Sequence, residues 1–256
     1  MAAIIARDEK KVLLFDAVLG LPNCDVYFGV EVGCTIGHVV RDGRELRDAI
    51  LPTKQGVDLI SGGSGWRELA LLDHGQIDRL VESLRQISED YDHVVIDCST
   101  GFGERVFPFL LLSDAVMLVT SGDATSLMDG YAVLKNAWDL KSDLKAGVVI
   151  NHAVNELHGR GLAKELQTVV GQFLSQPLEH WATVRHDANV LRACAERRPF
   201  ADAYPTSAAS QDLIDAANAA MGSLANLEVE PESESVLDKL RSVFGKKTTD
   251  EHAEAA

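Results

Sequence analysis

Aromatic residues are scarce in this 256-residue chain, at 6%, and cysteines number four. The cysteines stand at 24, 34, 98 and 194, with no CxxC pair and no histidine at ligand spacing. A disulfide framework or zinc ribbon is thereby excluded, and the thiols read as buried or incidental. Positive charge is short as well: 24 Lys and Arg face 39 Asp and Glu, a formal net charge of −15. A nucleic-acid-binding face needs clustered Lys and Arg to neutralise phosphates, so no direct nucleic-acid partner is expected. No run of about 18 apolar residues could span a bilayer, and the N-terminus lacks the apolar core of a secretory signal. The body of the chain is expected in the cytoplasm. There is no GxSxG elbow for a serine hydrolase, and His152 with His158 misses the i, i+4 spacing of a helical zinc site.

What is present is a regular alternation. Apolar runs recur at KVLLF 11–15, VDLI 57–60, HVVID 93–97, AVMLVT 115–120, GVVI 147–150 and, more weakly, HWATV 180–184. Most are continuous, as in parallel strands covered on both faces. Segments of helical period lie between them, at 77–87, 126–138 and 161–174. The expected fold is α/β, a doubly wound, mostly parallel sheet with helices on both faces. Such sheets bind ligands beyond the carboxyl ends of their strands, which points to 16–23, 97–103, 120–126 and Asn151.

Past residue 226 the character changes. An acidic Pro/Ser linker, 227–235, leads to an amphipathic segment, 236–247, and a polar end, 248–256. Val236, Leu237, Leu240, Val243 and Phe244 share one helical face, ringed by Lys239, Arg241, Lys246 and Lys247. Five apolar side chains at about 1.5–3 kcal/mol each, with about 1 kcal/mol per basic residue near anionic lipid, roughly offset the cost of ordering the segment. One such tail holds a membrane only marginally, and two on a dimer hold it well. Docking on the chain's own body or in a protein groove is the competing use.

VLLFDAVLGLPNCDVYFGV, DYDHVVIDCSTGF and LVTSGDATSLMDGYAVLK together resemble the MinD/ParA-type P-loop ATPases, over Ala2 to about Leu224. SQPLEHWATVRHDANVLRACAERRPFADAYPTSAASQDL is most similar to the branch that controls flagellar number and placement (FlhG/FleN type). The resemblance implies a SIMIBI-type P-loop NTPase fold, ATP and magnesium as cofactors, and membrane targeting through the 236–247 helix. It also implies a dimer, with itself or with a P-loop-bearing relative, and flagellar assembly or regulatory proteins as further partners. The family's GKGGxGKT phosphate loop is not in this sequence, whose opening MAAIIARDEKKVLLFDA aligns with the end of the helix after that loop. About twenty residues, a strand, the loop and a first helical turn, are therefore expected to be missing. Loss of that central strand should leave a pair of strand edges uncovered or force them together.

The remaining site residues are carried over singly. Asp16 is the first acid of the family's DAD triplet, and Val18 replaces the second, which organises the attacking water. Asp97 matches the Walker B acid that holds magnesium through water, Gly101 the switch glycine, and Asn151 the adenine-reading asparagine. Arg185 and Asp187 fall in the loop around the base. A strand-end cap at Asp97 and a plain turn at Asn151 are the structural alternatives. SGGSGWRE at 61–68 lacks a Lys-Ser/Thr pair and reads as a turn. The expected protein is a flagellar-branch regulator degenerate in ATP hydrolysis. The alternatives are a membrane-cycling ATPase whose P-loop lies upstream, and a non-catalytic scaffold.

Overall fold

The computed structural model describes residues 1–19, 21–63, 69, 72–98 and 106–225. Each of the six apolar runs forms a strand. These are β1 (Val12–Asp16), β3 (Val57–Ile60), β4 (His93–Asp97), β5 (Ala115–Thr120), β6 (Lys145–Ala153) and β7 (Glu179–Arg185), with a short β2 (Leu51–Pro52) between the first two. The helices are α1 (Ala2–Ile5), α2 (Cys24–Phe28), α3 (Ile36–Asp42), α4 (His74–Ser88), α5 (Phe107–Leu112), α6 (Ala124–Leu140), α7 (Glu156–Leu174), α8 (Asn189–Ala195), α9 (Phe200–Ala203) and α10 (Ala208–Ala225). Asp73, Asp123 and Asn155 start the three long helices after the second, fourth and fifth parallel strands. Their carboxylate or amide oxygens accept the N–H of Gln76, Ser126 and His158 at 2.8–2.9 Å.

The strands form two sheets, in the orders β2-β3-β1-β4 and β5-β6-β7; every pairing is parallel except β2 with β3. β1 is buried along its whole length because it has a neighbour on each edge and helices on each face. Its side chains alternate between the faces. Leu13 and Phe15 enter a core with α4 and α5, where the rings of Phe15 and Phe109 lie 5.5 Å apart. Val12 and Leu14 enter a second core with the α1 side chains Ile4 and Ile5 and with Ala217 of α10.

The expectation of a doubly wound α/β fold holds, and of the two expected outcomes for the strand edges at its centre the first is seen: β4 and β5 do not pair. Helices instead join the two sheets across the gap. On one face, Phe109 and Leu111 of α5 belong to the first sheet's core while Val106 and Leu110 belong to the second's, and Cys98 packs on both. On the other face, Met1, Leu213 and Met221 each pack on both the β1 side and the β7 side. The effect on burial is plain. All five residues of β4 are half-exposed despite the sequence HVVID, and Val119 of β5 is 57% exposed.

The second sheet is closely fitted. A Cβ on Gly147 of β6 would lie 2.0 Å from the ring of Trp181, whereas one on Gly171 of α7 meets nothing within 4 Å. Gly147→Ala is therefore expected to lower stability by roughly 1–3 kcal/mol, and Gly171→Ala to raise it by up to about 1 kcal/mol through helix propensity. Urea unfolding of the two variants checks the opposite signs.

Candidate functional site at the carboxyl ends of β1 and β4

β1 and β4 are in register so that Asp16 lies beside Asp97, and the N–H of Ala17 donates to the Asp97 carbonyl at 2.9 Å. Asp16 is fully buried. Its Oδ1 accepts the N–H of Val18 at 3.1 Å, and its Oδ2 accepts those of Asn23 at 3.1 Å and Cys24 at 3.0 Å. The carboxylate thus ties both ends of the loop after β1 to the strand that launches it. That tie brings Cys24, the first residue of α2, over β4, where its thiol donates to Asp97 Oδ2 at 3.3 Å.

Ligand atoms of Asp16, Cys24 and Asp97 lie within 4.8 Å of one another. This donor set does not suit a directly held magnesium. Magnesium is a hard cation that favours oxygen ligands, and here one donor is a thiol while both oxygens of Asp16 already accept amide hydrogens. Asp97 alone retains a carboxylate able to meet a cation through water. Burial, with the charges of Asp16 and Asp97 added, pushes the Cys24 thiol far above its ordinary range, and burial lifts Cys98 to about 12. Neither is a ready thiolate.

The other predicted residues sit apart from this trio. Asn151, near the end of β6, accepts the N–H of its neighbour His152 at 2.9 Å through its side-chain oxygen. Arg185 ends β7 with its guanidinium forked onto Asp212 of α10, Nε to Oδ2 at 2.9 Å and Nη2 to Oδ1 at 2.6 Å. Asp187 accepts the N–H of Asn189 at 2.8 Å, which holds its carboxyl below the ordinary range. Gly101 and the whole 227–256 region lie outside the described residues, as do 64–68 of SGGSGWRE. In the described part of that stretch, the carbonyls of Ser61 and Gly62 accept the N–H groups of Ile36 and Gly37 at 3.0 and 3.3 Å, at the start of α3. Sequence reasoning missed Cys24 and Asp212. Nothing in spacing announces either, since each reaches its partner through a loop or across 27 residues of chain.

No family model matches the chain. It is 31% identical over 210 residues to the antiactivator FleN of Pseudomonas aeruginosa, covering 82% of this chain and 75% of that protein. The chain belongs to the MinD/ParA family of P-loop ATPases. Within that family it is also 28% identical over 215 residues to the flagellum site-determining protein YlxH of Helicobacter pylori, covering 83% and 72% of the two chains. The fold matches the MinD of Pyrococcus horikoshii, a structure complexed with Mg-ADP, with a TM-score of 0.72 at 23% identity over 90% of each chain. In this MinD/ParA-family member β1 and β4 end on the paired acids Asp16 and Asp97, with Cys24 against the second.

The Asp97 carboxyl is raised above its ordinary range, first by burial and further by the charge of Asp16, with the Cys24 hydrogen bond opposing. An acid whose folded pKa exceeds its unfolded one costs stability when ionised. The cost is full above the folded value and gone below the unfolded value of 3.8. Asp97→Asn is therefore expected to stabilise the isolated chain at about pH 8, with the gain shrinking toward about pH 4. Urea midpoints across that range, for wild type and variant, check it.

Proposed function

We propose that this chain is a MinD-like regulator of flagellar number or placement that works through protein contacts and is degenerate in ATP hydrolysis. Its similarity to FleN and YlxH supports the flagellar role. The single observation that carries the degeneracy is the changed acid pair. Val18 offers no side-chain acceptor where the family has an acid, Asp16 is occupied by three amides, and Asp97 accepts a thiol. Orienting a water for attack on a phosphate requires an acceptor placed at that water, and the valine at position 18 supplies none. With Mg²⁺ present, the purified Met1–Ala256 chain is expected to show no ATP binding at micromolar concentrations in equilibrium dialysis. In a deletion strain, Asp97→Asn should restore flagellar number as well as wild type does. Magnesium-dependent binding, or failure of a folded Asp97→Asn variant to complement, contradicts the reading.

The contact surface in this reading is the carboxyl-end rim. Leu21 after β1, Met128 on α6, Val154 and Leu157 after β6, and Leu191 on α8 are each at least 73% exposed. Large exposed apolar side chains on the segments and helices that follow the strands suit a protein partner, either a second copy or a P-loop-bearing relative. The body, 1–226, then works at the cytoplasmic face of the plasma membrane, tethered by the 227–235 linker and the 236–247 segment. Flotation with vesicles containing anionic lipid tests the tether. Weak binding by the full chain is expected, lost in Lys239→Glu/Arg241→Glu and on adding salt; equal binding to neutral vesicles contradicts it.

A further inference from the structure

We propose that the cleft at the amino ends of β1, β3 and β4 is a binding site for a small phosphorylated sugar. It lies at the opposite end of the strands from Asp16 and Asp97, so it stands apart from the strand-end acids and from the function proposed above. Its walls come from three segments: Lys10 and Lys11 before β1, Gly56 and Asp58 at the start of β3, and Asp90 and Tyr91 before β4. The volume is about 360 Å³, within the range of small-molecule sites.

Local bonds hold the three segments together. Val12 is in register with Val57 on one edge and His93 on the other, which levels the starts of the three strands. The Lys11 N–H donates to Asp92 Oδ2 at 2.8 Å, and the Lys11 carbonyl accepts the N–H of Asp92 at 2.9 Å. The turn before β1 is thereby locked to the turn before β4. Gly56, at φ +75°, carries the chain into β3 in a conformation that favours glycine. A Cβ there would meet nothing within 4 Å, so that side of the cleft is clear.

The polar groups decide the ligand. Tyr91 donates its hydroxyl to Asp58 Oδ2 at 2.8 Å, and Arg47 donates to Asp90 Oδ2. Each acid thus has one oxygen engaged, and the Oδ1 of each has no partner among the described residues. The ammonium groups of Lys10 and Lys11 make no ion pair or hydrogen bond among the described residues. Two uncommitted cations, adjacent in a chain of net charge −15, match a phosphate monoester, which carries close to two negative charges at neutral pH. The two remaining carboxylate oxygens can only accept hydrogen, so they select hydroxyl groups on the rest of the ligand. Val12 is the one aliphatic residue of the lining and is 1% exposed, which leaves no cover for an apolar body. A phosphate on a polyhydroxyl body satisfies both sets of groups.

The test titrates glucose 6-phosphate and ribose 5-phosphate into the ¹⁵N-labelled full chain, with glucose and inorganic phosphate as controls. Saturable binding of at least one sugar phosphate is expected, with amide shifts concentrated in 10–12, 56–58 and 90–91. Both controls should bind at least about tenfold more weakly. Lys10→Ala/Lys11→Ala should weaken the sugar phosphate by at least about tenfold while melting as wild type does, since both lysines are exposed. Failure of both sugar phosphates to saturate in the millimolar range, equal binding of inorganic phosphate, or an unchanged affinity in the double variant would each overturn the proposal. Shifts centred on 16–24 and 97 would also overturn it, and would bear on the strand-end acids instead.

Discussion

A buried parallel strand must satisfy N–H and C=O groups on both of its edges, and in this protein only part of the sheet does so. β1 lies between β3 and β4 and is buried throughout, whereas among the described residues β4 and β5 each pair along one edge only. The two half-sheets therefore rely on side chains to stay together. α5 shares its apolar residues between the two cores on one face, and α1 and α10 close the other. Packing of helices, not a continuous ladder, joins the halves. That makes the middle of the molecule the place where local opening costs least.

The candidate site sits at the carboxyl end of this same gap, and its electrostatics reflect that position. Asp16, on the fully paired strand, is buried and saturated by amides, so it acts as a structural anchor for the loop that follows. Asp97, on the half-paired strand, accepts a single thiol and keeps a raised carboxyl. Two acids in register thus have different roles because one strand is central and the other is an edge. In this MinD/ParA-family fold the Asp16 carboxylate holds the loop that follows its strand.

Much of the fold could be read from the sequence because continuous apolar runs such as VLLF and VMLV are what doubly covered parallel strands require. The register that sets Asp16 beside Asp97 was not legible, since continuous apolar runs do not fix how two strands align. Short elements were less legible. α2, α8 and α9 have seven residues or fewer and show no full apolar period, and β2 has two residues, one of them proline. β6 extends from Lys145 to Ala153, beyond its apolar centre at 147–150, since pairing with β7 continues to Arg185 through a register shift. In the site, Cys24 was hidden because its approach to Asp97 depends on the path of the loop. The fork between Arg185 and Asp212 was hidden because complementary charges far apart in sequence carry no pattern.

Native-state hydrogen exchange on the full chain reads the open gap directly. If the sheet is divided between β4 and β5, amides of β1 exchange only with global unfolding, while those of β4 and β5 that do not donate to β1 or β6 exchange through smaller local openings. Protection of all amides in β4 and β5 equal to that of β1 would show a continuous sheet and contradict the division.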